Sequence, residues 1–295
     1  MIIAGVNGGG TKTEAVCCDH TGKIVGRGSS GPSNYQNVGL EAAIKHIEEA
    51  LSNSGFPNPD ALCVALAGIN TKNDFNVVNR LLLEHHPGAI LEHDAFSELY
   101  LEARGKPGVI AIAGTGSVVL GYDGKNRHRR ADLGWFLGDE GSGYYIGREG
   151  IRATARMVFE GEEETQLKKE VLDHLELKNP EDIMDWAYSK LNTPTTVAGV
   201  TTAVDKAALS GDKVALNIFR KASSNLADHA VEMALKLNLR RVYIKGGVFN
   251  SAFFFSNFMG ILAHRGIDTI HIKGSAAIGP LLIAADKSGI RVAEE

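Results

Sequence analysis

Two stretches of this chain end an apolar run in glycines and hydroxyls. Gly8-Gly9-Gly10-Thr11-Lys12 follows Ile2-Ile3-Ala4-Gly5-Val6 and Asn7, and Ala113-Gly114-Thr115-Gly116-Ser117 follows Gly108-Val109-Ile110-Ala111-Ile112. Backbone N–H groups left unpaired at such turns form concavities that hold anions. Glycine lets the backbone approach a phosphate with no Cβ in the way. Thr11 and Thr115 add hydroxyl donors, and Lys12 adds a positive charge. One glycine-rich hairpin alone is as readily a tight β-turn that binds nothing. Two in matching positions favour phosphate.

Two better-known phosphate motifs are excluded. Gly5 and Gly10 have the spacing of a P-loop, but Thr11 intervenes before Lys12-Thr13, and a P-loop opens a helix. The residues after Thr13, Glu14-Ala15-Val16-Cys17-Cys18, read as a strand. A dinucleotide fingerprint fails for the same reason.

Two carboxylate stretches complete the set. Asp94 follows the strand-like Ile90-Leu91 and opens a helix pattern to Ala103. Aspartate is a preferred N-cap, and the same carboxylate could serve as a general base on a hydroxyl. Both roles could hold at once. Gly138-Asp139-Glu140-Gly141-Ser142-Gly143 sets two acids between glycines ahead of a helix start. It fits close packing of a helix on a ligand, or only a capped helix.

The elements that must position these residues form a repeat. The first copy runs strand, glycine turn, strand, turn and strand through Arg27, then a helix from Leu40 to Leu51 at helical spacing. A buried strand at Leu62–Leu66, a helix at Asp74–His85 and a short strand at Ala89–Leu91 follow. The pattern restarts at Gly108, and Val242–Lys245 running into Gly246-Gly247-Val248 parallels Leu62–Leu66 running into Ala67-Gly68. The second copy then carries an insertion of roughly 73 residues, expected as helices between Trp135 and Ser210. A long helix, Lys213 to Leu237, is expected against the second sheet, and a last helix at Ser275–Lys287 closes the chain. The expected domains are therefore 1–110 and 111–295.

Composition narrows the classes. At 295 residues, 44% apolar and 22% charged, the chain reads as two ordinary globular domains. A formal net charge of -4 argues against a nucleic-acid partner, which needs a basic surface. The one basic run, Arg127-His128-Arg129-Arg130, is expected as a solvated loop. No apolar run reaches the ~20 residues of a membrane span, and no signal-peptide layout opens the chain, which points to the cytoplasm. Cys17, Cys18 and Cys63 have no metal-ligand or disulfide spacing and read as small apolar fillers of strands. His85-His86 suits a helix C-terminus.

Taken together, Gly5–Thr13, Ala113–Ser117, Gly138–Gly143 and Gly246–Val248 resemble, in order and over nearly the whole chain, the BadF/BadG/BcrA/BcrD ATPase-like family. Its members include N-acetylglucosamine and glucosamine kinases. The resemblance implies an α/β fold, two ribonuclease-H-like (actin-like ATPase) domains flanking a nucleotide cleft, as in hexokinase. It implies an ATP- and Mg²⁺-dependent kinase acting on an amino sugar, a hexose or a keto-deoxy sugar acid, working as a homodimer. The alternative within the family is an ATPase that activates an iron–sulfur reductase partner.

Carried over by position, Gly8, Gly9, Gly10, Thr11 and Lys12 match the first phosphate loop. Gly114, Thr115, Gly116 and Ser117 match the second, and Gly246 and Gly247 the adenosine loop. Asp94 stands at the catalytic aspartate. Ser33, Asn34, Asp94, Trp135, Asp139 and Glu140 are the implied substrate-binding residues. Two positions depart from the pattern. Asn7 replaces the aspartate whose carboxylate helps hold the Mg²⁺ hydration shell, so no metal ligand is assigned. Val118 replaces the asparagine that follows AGTGS in animal hexosamine kinases, and it cannot hydrogen-bond a hydroxyl or an acetamido group.

Overall fold

A computed structural model describes residues 1–190, 192–272 and 276–292. The chain divides into two compact units, Met1–Pro107 with Lys273–Glu295, and Gly108–Ile272.

The first unit opens with β1 (Ile2–Gly8), β2 (Thr13–Asp19) and β3 (Ile24–Ser30), then α1 (Tyr35–Val38) and α2 (Leu40–Asn53). It continues with β4 (Ala61–Leu66), α3 (Lys72–His85), β5 (Ile90–His93) and α4 (Asp94–Ala103). The sheet order is β3-β2-β1-β4-β5, with β1, β2 and β3 antiparallel and β1, β4 and β5 parallel. Period-two alternation turns Ala4, Val6, Ala15, Cys17, Leu62, Val64, Leu66 and Leu91 into one core with Ile44, Ile47 and Leu51 of α2.

In the second unit β6 (Gly108–Ala113), β7 (Ser117–Tyr122) and β8 (Arg127–Ala131) form the antiparallel half of the sheet. The expected helical insertion follows as α5 (Gly134–Leu137), α6 (Gly143–Phe159), α7 (Gln166–His174), α8 (Ile183–Ala187), α9 (Pro194–Gly199) and α10 (Thr201–Leu209). Then come α11 (Lys213–Lys236), β9 (Arg241–Lys245), α12 (Ala252–His264) and β10 (Asp268–His271). The order β10-β9-β6-β7-β8 repeats that of the first sheet, with β6 in the place of β1 and β9 in the place of β4. Phe219, Ala222, Leu226 and Ala230 of α11 share a core with Val109, Ala111, Val119, Val242 and Ile244 of the sheet.

Three expectations are corrected. Arg127–Arg130 is not a loop: it is most of β8, the edge strand paired to β7. Charge on an edge strand blocks pairing with another chain, and here Arg129 pairs with Asp132 at 3.1 Å and Arg130 with Glu232 at 3.2 Å. Second, β10 has no counterpart in the sequence reading. Third, the second unit does not run to residue 295. The terminal helix α13 (Ile278–Lys287) packs against β1, β4 and α4 of the first unit. Its expected start, Ser275, lies outside the described residues. Among the described residues no helix is long and apolar enough to cross a membrane.

Candidate active site

In the first unit the parallel strands β1, β4 and β5 end together. Gly8 is in register with Leu66, and Leu66 with His93. At about 4.8 Å between neighbouring strands, Gly8 and His93 are about 10 Å apart, and Asp94 follows His93 on the same sheet end. The first glycine turn closes by a bond from Gly9 N to Lys12 O at 3.0 Å. Gly8 is demanded by packing, because a Cβ there would fall inside Ser33 Oγ. Gly9 and Gly10 are not: a Cβ on either would find its nearest neighbour at an ordinary 3.7 Å, and neither has a left-handed backbone. The Lys12 ammonium projects to solvent and pairs with Glu14 at 3.0 Å. Asn7, the last residue of β1 but one, holds its Oδ1 buried without a hydrogen-bond partner.

Ser33 and Asn34 sit against this turn. Both backbone N–H groups donate to Gly9 O at 3.1 Å. Asn34 caps α1 by accepting from Gln36 N, and the Gln36 side chain donates to Gly68 O at 2.9 Å. The next residue, Tyr35, donates to Asp74 Oδ1 at 2.5 Å, while Asp74 Oδ2 accepts from Asn70 N and Thr71 N.

Asp94 is not the N-cap of α4. His93 is, accepting from Ala95 N at 3.2 Å, and Asp94 is the first helical residue. Its Oδ1 also accepts from Ala95 N, at 2.7 Å, and lies 3.0 Å from His93 Nδ1. An acid suits the first turn of a helix, where it meets the positive end of the helix dipole. The side chain is about a third exposed.

In the second unit the corresponding turn bonds Gly114 N to Gly116 O at 2.9 Å. Its outer carbonyls receive the start of α6: Gly143 N donates to Gly114 O at 2.8 Å and Tyr144 N to Thr115 O at 3.1 Å. Ser142 caps that helix by accepting from Tyr145 N. So Gly138–Gly143 lies directly on the second turn. Asp139 is buried at a left-handed φ of 60°. Its Oδ2 stands 2.8 Å from where a Cβ on Gly116 would be, and its Oδ1 is buried without a partner. Burial, aided by the charges of Asp132 and Glu140, pushes its pKa up to about 6 against opposing backbone N–H groups of Gly134 and Ser117. Glu140 lends its carbonyl to Ser117 Oγ at 3.4 Å. Gly246, at φ 115°, is packed on Ala113, whereas a Cβ on Gly114 or Gly247 would meet nothing within 4 Å. Trp135 is 46% exposed, its ring 5.4 Å from that of Tyr144.

Each unit thus brings its own sequence-identified residues together at one sheet end. Among the described residues no cluster of three histidine, cysteine, aspartate or glutamate side chains could hold a metal. Cys17, Cys18 and Cys63 are fully buried, so none offers a surface thiol for a cluster shared between subunits. Sequence reasoning missed Thr13, Gln36 and the Tyr35–Asp74 bond. Thr13 lay inside a quoted motif, but a pair 39 residues apart leaves no local signal.

A family model described as the BadF/BadG/BcrA/BcrD ATPase family matches residues 4–284. The chain belongs to this family. It is 29% identical over 301 aligned residues to an N-acetylmuramic acid/N-acetylglucosamine kinase of Clostridium acetobutylicum, covering 96% of this chain and 97% of that one. It is also 29% identical to an N-acetyl-D-glucosamine kinase of Dictyostelium discoideum, covering 81% of each. The crystal structure of a putative N-acetylglucosamine kinase from Chromobacterium violaceum superposes with a TM-score of 0.76 at 23% identity, over 96% of this chain and 98% of that one. The fold is the α/β actin-like ATPase fold that the motifs implied.

Proposed function

We propose that the chain is an ATP-dependent kinase of amino sugars, of the N-acetylglucosamine or glucosamine type. The observation that carries the phosphate half of this reading is the set Gly9, Gly10, Gly114 and Gly247. None has a neighbour that forbids a side chain and none has a left-handed φ, so neither packing nor backbone conformation accounts for the missing Cβ, and a phosphate approaching the backbone would. The amino-sugar half rests on kinship with kinases that act on such sugars. A neutral hexose and a keto-deoxy sugar acid stand behind it as acceptors.

Phosphoryl transfer is mostly a matter of position and charge. In this reading the turns Gly8–Lys12 and Gly114–Ser117 bind the phosphates, Lys12 leaves Glu14 for them, and Gly246-Gly247 meets adenosine. Ser33 and Asn34 are the sugar-contacting candidates of the first unit, and Asp139, Glu140 and Trp135 those of the second. The sugar hydroxyl oxygen bonds to the γ-phosphorus, its proton passes to the Asp94 carboxylate, and the bond to the ADP oxygen breaks. The buried, unpartnered Oδ1 of Asn7 suits a water bound to Mg²⁺ better than the ion itself. The ion, when bound, would neutralise phosphate charge. A cytoplasmic setting and assembly as a homodimer go with this reading, and light scattering measures the second.

The test is a coupled ATP-consumption screen over N-acetylglucosamine, N-acetylmannosamine, glucosamine, N-acetylmuramic acid, glucose and 2-keto-3-deoxygluconate, with the phosphorylated product identified. Amino-sugar-dependent ADP release is expected. ATP consumption that ignores every sugar would overturn the proposal.

A further inference from the structure

The phosphate turn and the turn bearing Ser33 and Asn34 are tied together at two points. One is the Gly9 peptide, whose N–H donates to Lys12 O while its carbonyl accepts from both Ser33 N and Asn34 N. The other is Thr13, the first residue of β2, in register with Gly8 and fully buried. Its Oγ1 lies 2.6 Å from Gly31 O and 2.8 Å from Ser33 Oγ. A threonine hydroxyl has one proton, and a carbonyl can only accept. The Thr13 hydroxyl faces both acceptors as donor, so its single proton is shared between Gly31 O and Ser33 Oγ.

We propose that Thr13 is a positioning residue that couples the two turns, so that nucleotide and sugar bind the first unit with positive linkage. The inference rests on the kinase reading above. A phosphate that orders Gly9–Lys12 fixes the Gly9 carbonyl, and with it the two N–H groups that orient Ser33 and Asn34. Thr13 locks the Ser33 rotamer to the same strand end. The ligand that arrives second meets a turn already ordered and loses less conformational freedom on binding. Linkage makes the effect reciprocal, and such couplings are commonly about 5- to 150-fold. Among the described residues no other side chain bonds Ser33 Oγ, and on its other side it faces Gly8, which has no side chain.

The experiment is calorimetric titration of the full chain with N-acetylglucosamine, with and without saturating ADP, and with ADP alone. In the parent, ADP is expected to tighten the sugar by about fivefold or more. Thr13→Val is expected to weaken the sugar about tenfold, the size of one lost hydrogen bond, and to shrink the ADP effect to near unity. ADP alone should bind both proteins equally. Thr13→Ser, which keeps the hydroxyl, should restore the parent ratio. Should Thr13→Val fail to fold, Ser33→Ala cuts the same bridge and leaves the Thr13–Gly31 bond in place, and the ratio is read on that variant. A folded Thr13→Val that keeps the parent ratio overturns the proposal, as does a parent that binds both ligands with no mutual effect. A parent that binds neither ligand removes the kinase reading and this inference with it.

Discussion

Ser33 Oγ occupies the space that a Cβ on Gly8 would need, so the two residues are interlocked where the phosphate turn meets the turn beside it. Gly8 is also bounded by Leu66 of β4. Gly8→Ala must therefore push Ser33 or the strand aside, and overpacking of this kind costs about 1–3 kcal/mol. The melting temperature should fall by several degrees, and sugar affinity should fall with it because Ser33 is displaced. A thermal melt beside a sugar titration checks both. An unchanged melt would show that the turn has more room than the geometry allows.

One residue further on, the outcome should invert. A Cβ on Gly9 would meet only Lys12 O, at 3.7 Å. Gly9→Ala should leave the melt within a degree or two, yet raise the KM for ATP about tenfold or more by standing between phosphate and backbone. The contrast between the two variants separates a glycine kept for folding from a glycine kept for a ligand. An unaltered KM would take the first turn out of the phosphate site.

The two glycine turns were legible because local rules govern them: alternating apolar strands broken by residues that free the backbone. β8 was not, since Arg127-His128-Arg129-Arg130 has the composition of a loop and becomes a strand only by pairing with β7. β10 is four residues, three of them polar, and pairs with β9 at the edge of the sheet. The docking of α13 on the first unit is a tertiary fact that no periodicity encodes. Within the candidate site, residue types were readable but their mutual bonds were not. Asp94 could be named, while the cap at His93 could not, because histidine is no usual N-cap. That Asp139 is buried with an unsatisfied oxygen depends on α6 starting against the second turn.

Because His93 supplies the cap, Asp94 can be altered with little cost to α4. Asp94→Asn keeps an oxygen for Ala95 N, so the melt should move by less than about 1 kcal/mol in stability. As a general base it should contribute roughly 10²- to 10⁴-fold in rate, and kcat should fall by that factor while ADP binding survives. Steady-state rates with the best sugar, a melt and an ADP titration on one preparation check the three parts. A near-normal rate in a folded variant would move the proton acceptor elsewhere, with Asp139 next in line.

Asp139 should show opposite effects on stability and function. Its pKa, raised by burial to about 6 from 3.8, means that the folded state binds a proton more tightly than the unfolded chain does. Between those values stability therefore falls as pH rises, and the penalty is complete above the folded pKa. Two pH units at about 1.4 kcal/mol each set an upper bound of about 3 kcal/mol. Asp139→Asn removes the charge but keeps an acceptor for the N–H groups of Gly134 and Ser117. At pH 7.5 it should melt higher than the parent, and the gap should narrow markedly on acidification to pH 4.5, closing only below the unfolded value of 3.8. The same change removes a carboxylate whose Oδ1 has no protein partner, so the KM for sugar should rise about tenfold or more, the loss expected for a charge-assisted hydrogen bond. Paired melts at the two pH values, with sugar KM at pH 7.5, decide the matter. A variant that melts lower than the parent at pH 7.5 would mean that the carboxylate is a structural anchor and not a group held unsatisfied for the ligand.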